Sequence, residues 1–414
     1  MRLRRVAADW LYAEPFWYEL ERHGHRVIAV DVPMSFPPRL AQGVEVTNWG
    51  AHDQLGPLAC YPRAVEPEIR RRFGTHPMGY EIPVDKSHRE LRRIRDHLVA
   101  GARRKAELSR WLLDSRPWDF FITVLAETHR GGHLLWPVLS SEGTVPSTAL
   151  LDVYRAVDQA IGDILACLPL SETTVMIFSL HGMGPNTSQE HFVPQLMDLV
   201  NARFTGVQRD PRVPGRLPRR RALTRLLRES VPAQWQNTIA QAVPVSVRDM
   251  VVNRSIVGGH DWQRTPGLDL LADLNGYLRF NIRGREGQGA LEPGSDALAR
   301  YVESIRECFQ SFRLAGSRER LVRAVRLTSD ELSGRRVEQL PDMVATWTDI
   351  QPALRIDSEA FGSLTVTLAT GRPGNHRPDG FCVVLGPGSQ QAGEMPAGDI
   401  RDLSQTVLRT LLTT

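Results

Sequence analysis

Three histidine-bearing stretches of this sequence have residue types and spacings that could do chemistry. "AETHRGGHLLWP" carries His129 and His133, "VMIFSLHGMGPNTSQEHF" carries His181, and "TGRPGNHRPDGFCVVLGPG" carries His376. Imidazole is the commonest side chain for holding zinc-like metals. Three histidines that leave one tetrahedral position open form a recognised catalytic arrangement. The spacing of four between His129 and His133, on a turn or the first turn of a helix, brings both rings to one side. Gly131 and Gly132 are expected to let the backbone bend so that the rings converge. A lone loop histidine is more often a hydrogen-bonded surface residue. His23, His25 and His97 read that way, His191 belongs to a helix after the His181 motif, and His260 in "GGHDW" stays undecided.

These residues need elements to position them. "HRVIAVDVP" (25–33), "WDFFITVLAE" (118–127) and the apolar run at 175–180 read as strands. The second has almost no alternation, which predicts a central strand buried on both faces. Between them, 87–117 shows helical spacing through Leu91, Ile94, Leu98, Leu108 and Leu112, and 147–168 is a second amphipathic helix. Strands return at 276–284, 321–327, 342–347 and 380–388, with helices at 294–312 and 398–412. The alternation predicts an α/β fold, a mostly parallel central sheet flanked by helices. His129, His133 and His181 then follow strands of that sheet, where open α/β sheets place ligands, and His376 sits in a Gly/Pro-rich loop before the last one. Residues 203–275 read as a largely helical insertion or cap on a core of 1–202 and 276–414.

The 414 residues, 42% hydrophobic and 24% charged, are ordinary for a soluble globular protein. No apolar run approaches a membrane span, and Asp9, Glu14 and Glu19 break the apolar stretch that a signal peptide needs. Cys60, Cys167, Cys308 and Cys382 form no CxxC pair and read as free thiols of a cytoplasmic protein. The net charge of +4 is too small a bias to imply nucleic acid. Its basic residues concentrate in "RDPRVPGRLPRRRALTRLLRES" (209–230), read as a solvated helix face rather than a docking surface, because no aromatic residue interleaves between Arg209 and Arg228. The sequence leaves the oligomeric state open.

Taken together, the blocks resemble the alkaline phosphatase superfamily, in particular its type I phosphodiesterase and nucleotide pyrophosphatase branch. "HRGGH" (His129–His133) is similar to that superfamily's Asp-xxx-His motif, "SLHGM" (Ser179–Met183) to its Ser-Asp-His-Gly-Met motif, and "GNHRPDG" (Gly374–Gly380) to its late Gly-x-His-x-x-x-Gly motif. "GYLRFNIRGRE" (Gly276–Glu286) also looks like a segment of this branch, and the resemblance runs from about Pro15 to the C-terminus.

The resemblance implies an alkaline phosphatase-like fold and a divalent-metal-dependent hydrolase of small phosphorylated or related ester substrates. The family builds two metal sites, one from the Asp-xxx-His pair and the late histidine. The other uses an early Asp, the Asp-His pair and a nucleophilic Thr or Ser. Here His129 stands where the first motif has Asp, and Leu180 where the second has Asp. The early Asp and the nucleophile are expected upstream of "EPFWYELERHGHRVIAVDVP", and nothing in "MRLRRVAADWLYA" looks like them. One site thus survives as His129, His133 and His376, while the other keeps only His181, a remnant ligand or a transition-state donor. Exchange of carboxylate for imidazole favours a softer metal such as zinc over magnesium, with metal-bound water as the attacking group. Glu127, Arg130 and Asn186 are candidates for orienting the histidines or binding substrate. The alternative is a non-catalytic member that binds a ligand or partner in the same cleft.

Overall fold

The computed structural model describes residues 13–52, 56–79, 86–137, 139–140, 143–144, 147–206, 247, 250, 261–270, 274–366, 372–387, 393 and 398–412. The basic stretch 209–230, most of the proposed insertion 203–275, Asp9 and His260 lie outside the described residues. The chain divides into two compact units. Of the described residues, the histidine-bearing unit takes in those of 13–79, 86–184 and 376–412, and the other takes in those of 185–375.

The histidine-bearing unit runs α1 (Trp17–Arg22), β1 (Val27–Val30), β2 (Val44–Thr47), β3 (Ala59–Tyr61), α2 (Val65–Phe73), α3 (His88–Ser115) and β4 (Phe120–Thr123). It continues with α4 (Glu127–Leu135), the short β5 (Leu139–Ser140) and β6 (Gly143–Thr144), α5 (Ser147–Leu165) and β7 (Val175–Ser179). β8 (Gly182–Pro185) follows directly. The chain completes this unit at its C-terminal end with β17 (Phe381–Leu385), preceded by β16 (Gly374–Arg377), and with α9 (Asp402–Leu412).

Its main sheet has the order β3-β2-β1-β4. β1 pairs in parallel with β2 and with β4, and β3 closes one edge antiparallel to β2. β1 is buried on both faces because it is a run of four apolar residues without alternation. Ile28 and Val30 pack with Leu108 and Leu112 of α3 and Ile69 of α2, while Val27 and Ala29 face Trp17 and Leu20 of α1 and Val407 and Leu411 of α9. The result is helices on both faces of a sheet. β4, expected at the centre, is instead the edge strand of these four and only half-buried. Its unbroken apolar run suits that edge no better than the centre; β1 holds the middle position.

The strands proposed for one sheet are distributed further. β7 pairs antiparallel with β17, Val175 opposite Leu385 and Ser179 opposite Phe381, as a separate two-stranded sheet. The near-continuous apolar run of β17 leaves Phe381, Val383 and Leu385 exposed on one face.

α3 opens on a capping box: Glu90 N–H donates to Ser87 Oγ at 3.4 Å and Ser87 N–H to Glu90 Oε2 at 2.9 Å. All five apolar positions expected on its inner face are buried, and so is Lys105, whose ammonium donates to Asp31 at the end of β1. Both side chains are fully buried. An ion pair so deep depends on further partners for its charges: the Asp31 oxygens also accept Trp49 N–H at 2.8 Å and Gly50 N–H at 2.7 Å, and the Lys105 ammonium lies over the Trp49 ring at 5.2 Å.

The second unit contains α6 (Val193–Thr205), β9 (Gly267–Leu270), β10 (Gly276–Phe280), α7 (Asp296–Ser311) and β11 (Arg313–Leu314). It continues with β12 (Val322–Leu327), the one-turn α8 (Thr328–Glu331), β13 (Met343–Trp347), β14 (Arg355–Ser358) and β15 (Gly362–Thr365). An antiparallel sheet of order β12-β13-β10-β9 and a smaller one of order β11-β14-β15 enclose a core of Phe192, Leu196, Leu278, Phe280, Tyr301 and Ile305. The polar residues of "GYLRFNIRGRE" serve this unit internally: Arg285 forks onto Asp342 at 2.6 and 2.8 Å, and Arg279 donates to Glu286 at 2.9 Å. No described helix of the chain is long and apolar enough to cross a membrane.

Candidate metal centre

The centre lies within the histidine-bearing unit, at the ends of its strands. β4 leads through Val124–Ala126 into α4, which carries His129 and His133 one turn apart, their ring centroids separated by 4.8 Å. The rings meet because i and i+4 share a helix face. Gly131 and Gly132 do not bend the backbone as expected; the helix runs through them. They are small for packing: a Cβ on Gly132 would fall 2.7 Å from Met183 Cε, and one on Gly131 3.2 Å from Leu150 Cδ1.

β7 leads to His181. Its Nδ1 donates to Gly182 O at 3.0 Å, which fixes the tautomer and turns Nε2 outward as a lone pair. That Nε2 lies 3.2 Å from His129 Nδ1. His376 is in β16, a strand rather than a loop, and its Nε2 lies 3.0 Å from His133 Nε2. The glycines of the "SLHGMGP" turn let this segment lie against 376–380, since a Cβ on Gly182 would stand 2.7 Å from Asp379 O. The four expected histidines therefore converge.

His52 joins them, and the sequence reading missed it. Its ring lies edge-on to His129 at 4.0 Å and stacks over His133 at 6.1 Å. The signal was available: His52 follows β2 just as His129 follows β4, at the carboxyl end of a parallel strand. The loop that presents it is held by the Asp31 carboxylate through Trp49 and Gly50, and Asn48 turns the chain with a positive φ of 62°.

The donor set suits a metal. The ligand atoms of His52, His129 and His133 lie within 4.8 Å of one another, and so do those of His129, His181 and His376. No described carboxylate belongs to either set. Two imidazole nitrogens 3.0–3.2 Å apart must share either a proton or a cation; zinc at its usual distance from histidine sets neighbouring nitrogens about 3.3 Å apart. His129 Nε2 is buried with no hydrogen-bond partner. Burial first, and then the neighbouring rings of His52, His133, His376 and His181, hold His129 far below the ordinary histidine range, so it stays neutral, as a ligand must.

The other candidates stand elsewhere. Glu127 is fully buried and its Oε1 accepts from His76 Nε2 at 2.9 Å, while its Oε2 has no hydrogen-bond partner. A Cβ on Gly101 of α3 would fall 2.6 Å from that His76 nitrogen, so the pair needs a glycine there. Arg130 is buried and its guanidinium donates to Met78 O at 3.3 Å and to Gly79 O. Asn186 belongs to the second unit, where it donates to Arg372 O at 3.0 Å and accepts from Ser188 N–H at 2.9 Å. His191 sits in a short 3-10 turn, Glu190–Phe192, with its Nε2 donating to Ala353 O at 2.8 Å.

Comparison with known proteins gives a match over residues 2–296 to the family model of type I phosphodiesterase / nucleotide pyrophosphatase. No curated protein matches the sequence. Among solved structures, human ectonucleotide pyrophosphatase / phosphodiesterase 5 is similar at 11% identity and a TM-score of 0.44, over 97% of this chain and 71% of that one.

Proposed function

The chain belongs to the type I phosphodiesterase / nucleotide pyrophosphatase family, and from that premise we propose that it is a hydrolase of small phosphodiesters or pyrophosphates whose metal is held by imidazoles. The observation that carries the reading is the convergence of His129, His133, His181 and His376, with nitrogens paired at 3.0 and 3.2 Å. Neutral imidazoles suit zinc; magnesium prefers oxygen ligands and keeps its waters. When bound, the metal supplies positive charge against a phosphoryl oxygen. The chain's own residues do the positioning. α4 sets His129 and His133 one turn apart, Gly182 O orients His181, and β16 brings in His376.

Leu180, which is 51% exposed where the family's motif has a carboxylate, favours a second reading, a member that binds its ligand in this site without turning it over. Elemental analysis after dialysis, paired with the hydrolysis rate of an aryl phosphodiester and of a pyrophosphate, separates the two. We expect retained zinc and a metal-dependent rate, both lost in His376→Ala. Retained metal with no rate on either substrate supports the ligand-binding reading, and a wild type that retains no metal overturns both.

A further inference from the structure

We infer that His76 and Glu127 are positioning residues, a buried pair that locks α4 and the loop before His52 to one another so that the rings of His52, His129 and His133 meet; this role deepens the metal-dependent reading above and rests on it. Neither residue belongs to the two sets of ligand atoms.

The pair sits where three segments come together. His76 lies between α2 and α3, in the segment 74–79. Its Nε2–H donates to Glu127 Oε1 at 2.9 Å, and its Nδ1 accepts Met78 N–H at 3.2 Å. Glu127 opens α4. At 3.6 residues per turn it stands about 200° around the helix from His129, so the helix is held from behind while its histidines face the cluster. Arg130 ties α4 to the same segment again, through Met78 O at 3.3 Å and Gly79 O. The His76 ring also lies against the loop that leads to His52. A Cβ on Gly50 would fall 2.7 Å from His76 Cδ2, and the Trp49 ring meets the imidazole edge-on at 5.1 Å. Trp49 Nε1–H donates to Gly74 O at 3.0 Å. Segment 74–79 therefore backs both α4 and the His52 loop, and the rings of His52 and His129 end 4.0 Å apart.

A pair kept for stability alone would be built differently. The side chains of His76 and Glu127 are only 2% and 1% exposed, and Glu127 Oε2 has no hydrogen-bond partner. Polar groups buried in this way contribute little net stability, and apolar side chains of similar volume often serve a core as well. Two glycines keep the space for this imidazole, since a Cβ on Gly101 would fall 2.6 Å from its Nε2. What the pair adds is direction. A hydrogen bond fixes both distance and angle between the segments it joins, which apolar contact does not.

The test uses the full chain, first free of metal and then with zinc alone. The double variant His76→Leu, Glu127→Met replaces both partners by apolar side chains of similar volume. We expect its metal-free unfolding temperature to match or exceed that of wild type. The nuclear Overhauser cross-peak between the His52 and His129 rings, present in wild type, should vanish, and zinc affinity should fall about tenfold or more. His76→Gln, whose amide still reaches Glu127, should keep the cross-peak and the affinity, whereas His76→Asn, too short to reach, should lose both. A merely structural pair moves stability and affinity together, so a double variant that loses the two in step overturns the inference. Gln and Asn variants that behave alike overturn it too, and this contrast decides if the double variant does not fold. A wild type without the cross-peak has the same consequence. A folded double variant that keeps cross-peak and affinity overturns the positioning role and leaves the metal-dependent reading standing. A wild type that binds no zinc overturns that reading, and the cross-peak alone then decides the positioning role.

Discussion

His129 shows how much one residue's surroundings decide. Folded without metal, it stays neutral because burial and four neighbouring rings oppose its charge. Unfolded, it takes up a proton as pH falls through the ordinary value of about 6.5. Below that value the unfolded chain binds more protons, so stability falls with acid by up to about 1.4 kcal/mol per pH unit for this one group. Thermal unfolding of metal-free protein between pH 8 and pH 5 should show this loss, and His129→Gln should flatten it; equal slopes would refute the assignment. Leu180 teaches the opposite lesson. Its exposed side chain means that Leu180→Asp puts a carboxylate in solvent, without the desolvation cost of a buried one. We expect stability within about 0.5 kcal/mol of wild type and unchanged zinc content, both measurable on one preparation. A gain of a zinc ion would show that this position completes a site.

At the scale of elements, α4 was legible because i,i+4 histidines after an apolar strand have one sensible geometry. β2 was not. It is four residues long and contains Glu45, which is fully buried and accepts Tyr18 Oη–H at 3.1 Å and Arg39 N–H at 2.8 Å. A buried carboxylate satisfied by distant partners disguises a strand as a loop, and with β2 unread His52 had no strand end to follow. The tie between α3 and β1 was equally hidden, since Lys105 reads as a surface residue of an amphipathic helix. Lys105→Met should cost about 3–5 kcal/mol, because it leaves Asp31 buried and uncompensated. Denaturant unfolding measures this, and the double variant Lys105→Met, Asp31→Asn should recover part of the loss. A cost below about 1 kcal/mol would mean that the pair is solvated.

For the whole molecule, every ligand of the centre belongs to one unit, while the second unit has its own core of Phe192, Leu278, Tyr301 and Ile305. A ligand stabilises what it binds by mass action. Added zinc should therefore slow hydrogen exchange in α4, at 179–182 and in β17, and leave β10, β12 and β13 unchanged; uniform slowing of both units would contradict the placement of the site. The order of the histidines in the chain carries a further consequence. His181 and His376 are separated by about two hundred residues that include the whole core of the second unit. An ion gripping both is a reversible staple across that span, comparable in its effect on the unfolded chain to a disulfide closing an equally long loop, worth about 5 kcal/mol of lost chain entropy. The same imidazoles that converge in the folded chain would then also set how far the unfolded chain can spread, and chelation would loosen the polypeptide over that whole span.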